Sequence, residues 1–169
     1  MRLKRLLKQR GWMLALSAFL VFLVLFAAWL AADARQPVLR IRLDETGEIL
    51  REAPVRAGDE LFVGWTHSQE KIPWNEWYTV EADGTLTLDT ISFPAFGPGI
   101  PCDKGTPRIE DGTIYYEGIG ESFPSFRWLN SAFTREIRLN GDLIARGEIL
   151  PDHTILTLTI ERKKLFHGR

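Results

Sequence analysis

Residues 64–77, GWTHSQEKIPWNEW, bring three Trp, one His, one Ser and two Glu into fourteen positions. Read as strand with a period of two, Trp65 and His67 share one face, and Thr66 and Ser68 take the other. Pro73 then fixes the chain, and Glu76 and Tyr78 share a face on the next strand. His67, Glu70 and Glu76 can therefore gather around a turn, and three such side chains suffice to hold a metal ion. Ser68 beside His67 suggests nucleophilic catalysis, but neighbours along a strand point to opposite faces, which is poor geometry for a triad. No G-x-S-x-G elbow and no H-E-x-x-H pair occurs, and His153 and His167 lack a neighbouring ligand pattern. No residue is therefore assigned to catalysis or to a metal, and no cofactor is expected. Two readings of the stretch stand side by side. It is a structural corner pinned by a His67–Glu76 pair, with Trp65, Trp74 and Trp77 packed around it, or a ligand-binding patch built from His67, Ser68, Glu70, Trp74 and Glu76. Both predict His67 and Glu76 within hydrogen-bonding reach across a hairpin, with Glu70 at the turn.

A second unusual segment is FPAFGPGIPCDKGTP, residues 93–107. Gly97 and Gly99 bracket Pro98, and Pro101 follows, so the segment is a stiff, shaped loop rather than a strand. It lacks the GK[ST] end of a phosphate loop. It is either a crossover between sheets or a binding loop held rigid by proline, and it is expected to pack near the His67 corner. Cys102 within it is the only cysteine, which rules out an intramolecular disulfide and leaves a buried thiol or one that pairs with another chain.

These segments must be positioned by β structure. VLRIRL (38–43), ELFVGWTH (60–67), NEWYTVEA (75–82), TLTLDTISF (85–93), TIYYEGI (113–119), FTREIRL (133–139), LIARGEI (143–149) and TILTLTIER (154–162) read as strands. Asp83-Gly84, Asp111-Gly112 and Asn140-Gly141 mark hairpin turns between them. ESFPSFRWLNSAF (121–133) holds at most one helical turn, because Pro124 breaks anything longer. The pattern predicts an all-β fold, an antiparallel sandwich or small barrel, over residues 38–169.

The amino-terminal part differs in kind. Residues 11–32 are free of charge, and at about 1.5 Å per helical residue they are long enough for a hydrocarbon core of roughly 30 Å. Arg2, Lys4, Arg5, Lys8 and Arg10 precede them, and Trp12 and Trp29 sit near the two ends as interfacial anchors would. This predicts a cytoplasmic basic tail (1–10), a transmembrane signal-anchor (11–32), a hinge (33–37) and an exported domain (38–169). It places the chain in the bacterial inner membrane as a single-pass protein, with its domain in the periplasm or outside the cell. Ala32-Asp33-Ala34 offers the alternative of a cleaved signal after Ala34, although the apolar run exceeds a usual signal core. Beyond residue 32 the chain keeps 16 of its 21 Lys and Arg and all 22 acids, a formal charge of −6. That balance excludes a general nucleic-acid surface. The basic tail ERKKLFHGR reads as a frayed terminus.

Gly58, Asp59, His67, Ser68, Glu70, Pro73 and Glu76, followed by Phe96, Gly97, Gly99, Pro101, Asp111 and Gly112, stand in an order that resembles the bacterial family known as domain of unknown function 1850. The resemblance covers roughly residues 55–115. Gln69 stands where the family usually has Val, Pro98 replaces a small residue, and the part beyond about residue 120 matches loosely. Members of that family tend to be encoded beside TAXI-type TRAP solute transporters. The resemblance thus implies an exported accessory or binding domain, with a TRAP transporter or its solute-binding protein as partner, and it carries no activity with it. The alternative is a small hydrolase or metal-dependent enzyme using His67, Ser68, Glu70 and Glu76, and the third reading is a purely structural envelope protein.

Overall fold

A computed structural model describes residues 2–33, 36–94 and 104–162, with side chains on the amino-terminal helix described at Met13 and residues 16–30. Gly97, Gly99, Pro101, Cys102, the cleavage position after Ala34 and the basic tail from residue 163 lie outside the described residues.

The chain divides into two units, and the larger spans Pro37–Glu161. It is a β-sandwich of eleven described strands. Strands β1 (Pro37–Leu43), β2 (Ile49–Pro54), β8 (Phe126–Leu129) and β11 (Ile155–Arg162) form a four-stranded sheet in the order β2-β1-β11-β8. The seven-stranded sheet runs β10-β9-β3-β4-β5-β7-β6. It is made of β3 (Glu60–Thr66), β4 (Pro73–Val80), β5 (Leu86–Phe93), β6 (Thr106–Glu110), β7 (Thr113–Phe123), β9 (Thr134–Leu139) and β10 (Asp142–Arg146). The strands pair antiparallel. Both sheets keep free edges, so the expectation of a sandwich or small barrel resolves to a sandwich.

The core forms where alternating apolar residues of both sheets meet. Leu39, Ile41, Leu156 and Leu158 from one sheet and Leu61, Val63 and Ile137 from the other are fully buried. A smaller cluster of Ile91, Phe93, Ile114 and Tyr116 lies on β5 and β7. On β1 the alternate residue Arg40 is also buried, at 7% exposure. Its Nε donates to Glu52 at 2.7 Å and its Nη1 to Glu161 at 3.0 Å. Arg42 Nη2 donates to the same Glu161 at 2.8 Å, and Arg42 is the first reason the Glu161 carboxyl is held down to about 2.

The three Gly-containing turns lie where the sequence puts them. Asn140 (φ 50°) with Gly141 (φ 83°), and Asp111 (φ 47°) with Gly112 (φ 75°), place two successive residues in the left-handed region. That is the geometry of a two-residue hairpin turn matching strand twist. Three strands lie outside the expected set: β2, β6 and β8. Segment 121–133 holds the end of β7, all of β8 and turns, with no helix, and residues 147–149 of the expected last-but-one strand form a 3-10 turn.

The smaller unit contains α1 (Arg2–Asp33). It includes the basic residues expected as a separate tail and ends one residue past the expected span. All twelve described large apolar side chains on α1, from Met13 to Leu30, are exposed. Among the described residues no helix is long and apolar enough to cross a membrane. The contiguous described stretch, residues 16–30, spans roughly 22 Å at the usual rise, against about 30 Å of hydrocarbon.

Candidate functional site

The β3–β4 hairpin carries the residues that the sequence singles out. Its register is Val63 opposite Glu76, Trp65 opposite Trp74 and Thr66 opposite Pro73. The ladder closes with the His67 N–H donating to the Ile72 carbonyl at 2.8 Å, and the Lys71 N–H returns to the His67 carbonyl at 2.9 Å. Lys71 takes a left-handed φ of 58° to make that turn. His67 and Glu76 do share the inner face, but Glu76 lies opposite Val63, four residues before His67. At about 3.4 Å per residue the two are displaced by roughly 14 Å along the strands, so the expected His67–Glu76 hydrogen bond does not form.

Each has other partners. The Glu76 carboxylate accepts from three aromatic side chains: Trp65 Nε1 at 2.9 Å, Trp74 Nε1 at 3.0 Å and the Tyr78 hydroxyl at 2.9 Å. Burial first, and the adjacent Glu76 carboxylate second, push the Tyr78 hydroxyl well above the ordinary tyrosine range. It therefore stays protonated and serves as a donor at any physiological pH. The His67 Nδ1 accepts from the Glu70 N–H at 3.2 Å, which leaves its Nε2 the proton-bearing nitrogen of the neutral ring. Glu70 is thus at the turn, as expected, and uses its backbone there. Ser68 is exposed and makes no hydrogen bond with His67.

The rings organise into two groups that meet at Glu76. Across the inner face of the seven-stranded sheet, His67 stacks on Trp74 (5.8 Å between centroids), Trp74 on Phe93 (5.1 Å), and Phe93 lies 6.1 Å from Tyr116. Between the sheets, Trp65 lies 5.7 Å from Phe126 and 6.2 Å from Trp128, and Tyr78 lies 5.9 Å from Phe126. Trp74 belongs to the first group, and Trp65 and Tyr78 belong to the second. One carboxylate joins them by charge-assisted hydrogen bonds, the stronger class of such bonds. Trp77, expected with the other two indoles, points to the opposite face and packs on Phe62 at 5.2 Å.

The Gly58-Asp59 pair builds the turn before β3. Gly58 takes a φ of 88°, and Asp59 Oδ2 accepts from the Arg56 N–H at 2.7 Å. Behind the corner, Thr66 N–H donates to the Phe133 carbonyl at 2.8 Å, and Lys71 Nζ sits 4.3 Å over the Phe133 ring. Trp65 lies in this neighbourhood as expected, whereas Tyr78, Phe126 and Phe133 are parts of it that sequence reasoning did not assign. The signal for Tyr78 was its period-two spacing with Glu76.

Among the described residues no group of three or more His, Cys, Asp or Glu is placed to hold a metal ion. His67, Trp65, Trp74 and Glu76 are half-buried and partly open to solvent, whereas Tyr78, Phe93, Tyr116 and Trp128 are buried. The half-buried rings are means of recognition by stacking and hydrogen bonding.

The family described as Domain of unknown function (DUF1850) has a model that matches residues 61–143, from β3 to the start of β10. No curated protein and no solved structure matches the chain.

Proposed function

Residues 61–143 belong to the DUF1850 family, and from that premise we propose that the chain is a binding domain held at the bacterial inner membrane. In this reading α1 is the anchor, the sandwich lies on the extracytoplasmic side, and the partner is a TAXI-type TRAP transporter or its solute-binding protein. Support for the anchor comes from residues 11–32, apolar all round, and from the exposure of the described apolar side chains on α1. A helix of that kind needs an apolar environment on every side. Five basic residues ahead of it and no acid before Asp33 set its orientation.

The observation that carries the binding reading is the Glu76 junction. A carboxylate held by three ring donors, flanked by the His67–Trp74 stack, fixes several aromatic faces at low entropic cost. Rigid aromatic anchors of this kind dominate recognition surfaces. The hydrolase alternative draws no comparable support, because Ser68 has no base beside it.

Two measurements test the proposal. Reporter fusions after residue 169 are expected to be active only outside the cytoplasm, and activity only inside it overturns the topology. A photoreactive residue at position 70, on the exposed turn, is expected to crosslink to a TAXI transporter subunit or its solute-binding protein in cells. Crosslinking confined to lipid or to other envelope proteins overturns the assignment of the partner.

A further inference from the structure

A recess is formed by the turn before β9 and the segment after β10. It encloses about 620 Å³, a volume usual for a small-molecule site. Its wall includes Ser131, Thr134, Arg135, Arg146, Glu148 and Asp152. Two irregularities in the sheet flank it. Between β3 and β9 the register passes from Gly64–Glu136 to Trp65–Thr134, so Arg135 is the extra residue of a bulge. Between β10 and β9 it passes from Leu143–Arg138 to Ala145–Ile137, so Ile144 is another, two residues before Arg146. Bulges turn side chains out of the regular alternation and recur beside functional sites.

Both guanidinium groups have spare donors. Among the described residues Arg135 reaches only the Asn75 Oδ1, at 3.4 Å, and Arg146 only Glu148, at 3.6 Å. By contrast Arg40, Arg42, Arg108, Arg127 and Arg138 each contact a carboxylate at 3.0 Å or less. Thr134, only 5% exposed, has a buried hydroxyl with no hydrogen-bond partner among the described residues. The floor is rigid. Gly147 packs so closely that a Cβ there would stand 2.1 Å from the Thr134 carbonyl oxygen. The fully buried Asn130 donates from Nδ2 to the carbonyls of Gly147 (3.1 Å) and Pro151 (3.0 Å), fixing the 147–151 segment.

The wall thus offers two under-used cations and two carboxylates. A simple anion would meet repulsion from Glu148 and Asp152, and a simple cation would meet it from the arginines. We propose that the recess binds a small zwitterion of the α-amino-acid class. Its carboxylate is received by Arg135 and Arg146, and its ammonium group by Glu148 and Asp152. The site is separate from the Glu76 junction and requires neither the membrane nor a transporter.

The full chain, purified in mild detergent, is titrated calorimetrically with each common α-amino acid in turn. The best binder is then compared with the same molecule lacking its amino group and with the one lacking its carboxylate. At least one amino acid is expected to bind, with both truncated analogues weaker by about tenfold or more. Arg135→Gln and Arg146→Gln are each expected to weaken binding by a similar factor. Arg127→Gln, a surface change on β8, is expected to leave it unchanged. Circular dichroism on every variant confirms the fold, which the exposed Arg135 and Arg146 leave intact when replaced. Binding by no amino acid, equal binding of the deaminated acid, or unchanged binding by both Arg135→Gln and Arg146→Gln each overturns the proposal. Equal loss in Arg127→Gln also overturns it, by showing a general charge effect.

Discussion

Glu76 is an anion whose hydrogen-bonding partners are rings rather than cations. All three donors need an acceptor, and a carboxylate offers only acceptors. Glu76→Gln places an NH2 against one of those donors. It is expected to cost about 1–3 kcal/mol of unfolding free energy, read from urea titration of tryptophan fluorescence. His67→Ala, by contrast, removes one ring stack and one turn hydrogen bond, so its cost is expected to stay near 1 kcal/mol. A second residue effect is set by pH. The Glu161 carboxyl falls from its ordinary 4.5 to about 2, chiefly through its hydrogen bonds with Arg42. A depressed folded value means that the stabilisation is complete above pH 4.5 and fades as pH falls toward 2. The Glu161 side chain is 36% exposed, so screening limits the effect to on the order of 1 kcal/mol. Thermal melts from neutral pH downward are expected to show the loss in that window, and Glu161→Gln is expected to flatten it.

At the level of elements, Asn140 shows how a turn is tied to the sheet. Its Oδ1 accepts from the Glu60 N–H at 2.9 Å while its own N–H donates to the Glu60 carbonyl at 2.8 Å. Asn140→Ala loses the first bond and puts a less tolerant residue at φ 50°, so it is expected to cost about 1–2 kcal/mol in the same urea titration. Turns of this type were legible in the sequence because Asp-Gly and Asn-Gly state their backbone requirement outright. The central strands were legible because Leu39, Ile41, Leu156 and Leu158 alternate cleanly. Strand β6 was not, because all five of its residues are exposed and Pro107 sits within it, leaving no buried face to imprint a period. Strand β8 has four residues following closely on Pro124, too few to show one. The composition of the corner was readable, but its pairing was not. The register depends on where the hairpin closes, and that rests on Lys71 adopting a left-handed conformation that lysine does not advertise. The recess at Arg135 and Arg146 was invisible for a related reason: bulges are defined by a partner strand, not by local composition.

At the scale of the whole molecule, the division at residues 36 and 37 separates an apolar helix from a sandwich with its own core. A fragment of residues 37–162 is expected to be soluble, with a β-dominated circular dichroism spectrum and no need of a disulfide. A helix-dominated spectrum, or aggregation under conditions where the full chain is dispersed, would count against an independently folding domain. The strand order of the smaller sheet also governs when that core can form. β11 lies between β1 and β8, so two of the sheet's three pairings wait for a strand made about 110 residues after β1, and closing a loop of that length is entropically uphill until contacts reward it. Leu39 and Ile41 emerge early from the ribosome yet lack the neighbour that completes their layer until Leu156 and Leu158 arrive. Consolidation is therefore a late, nearly all-or-none event in the life of the nascent chain. Until the final strand is available the four-stranded sheet keeps only its β1–β2 pairing, and the core between the sheets lacks one of its walls.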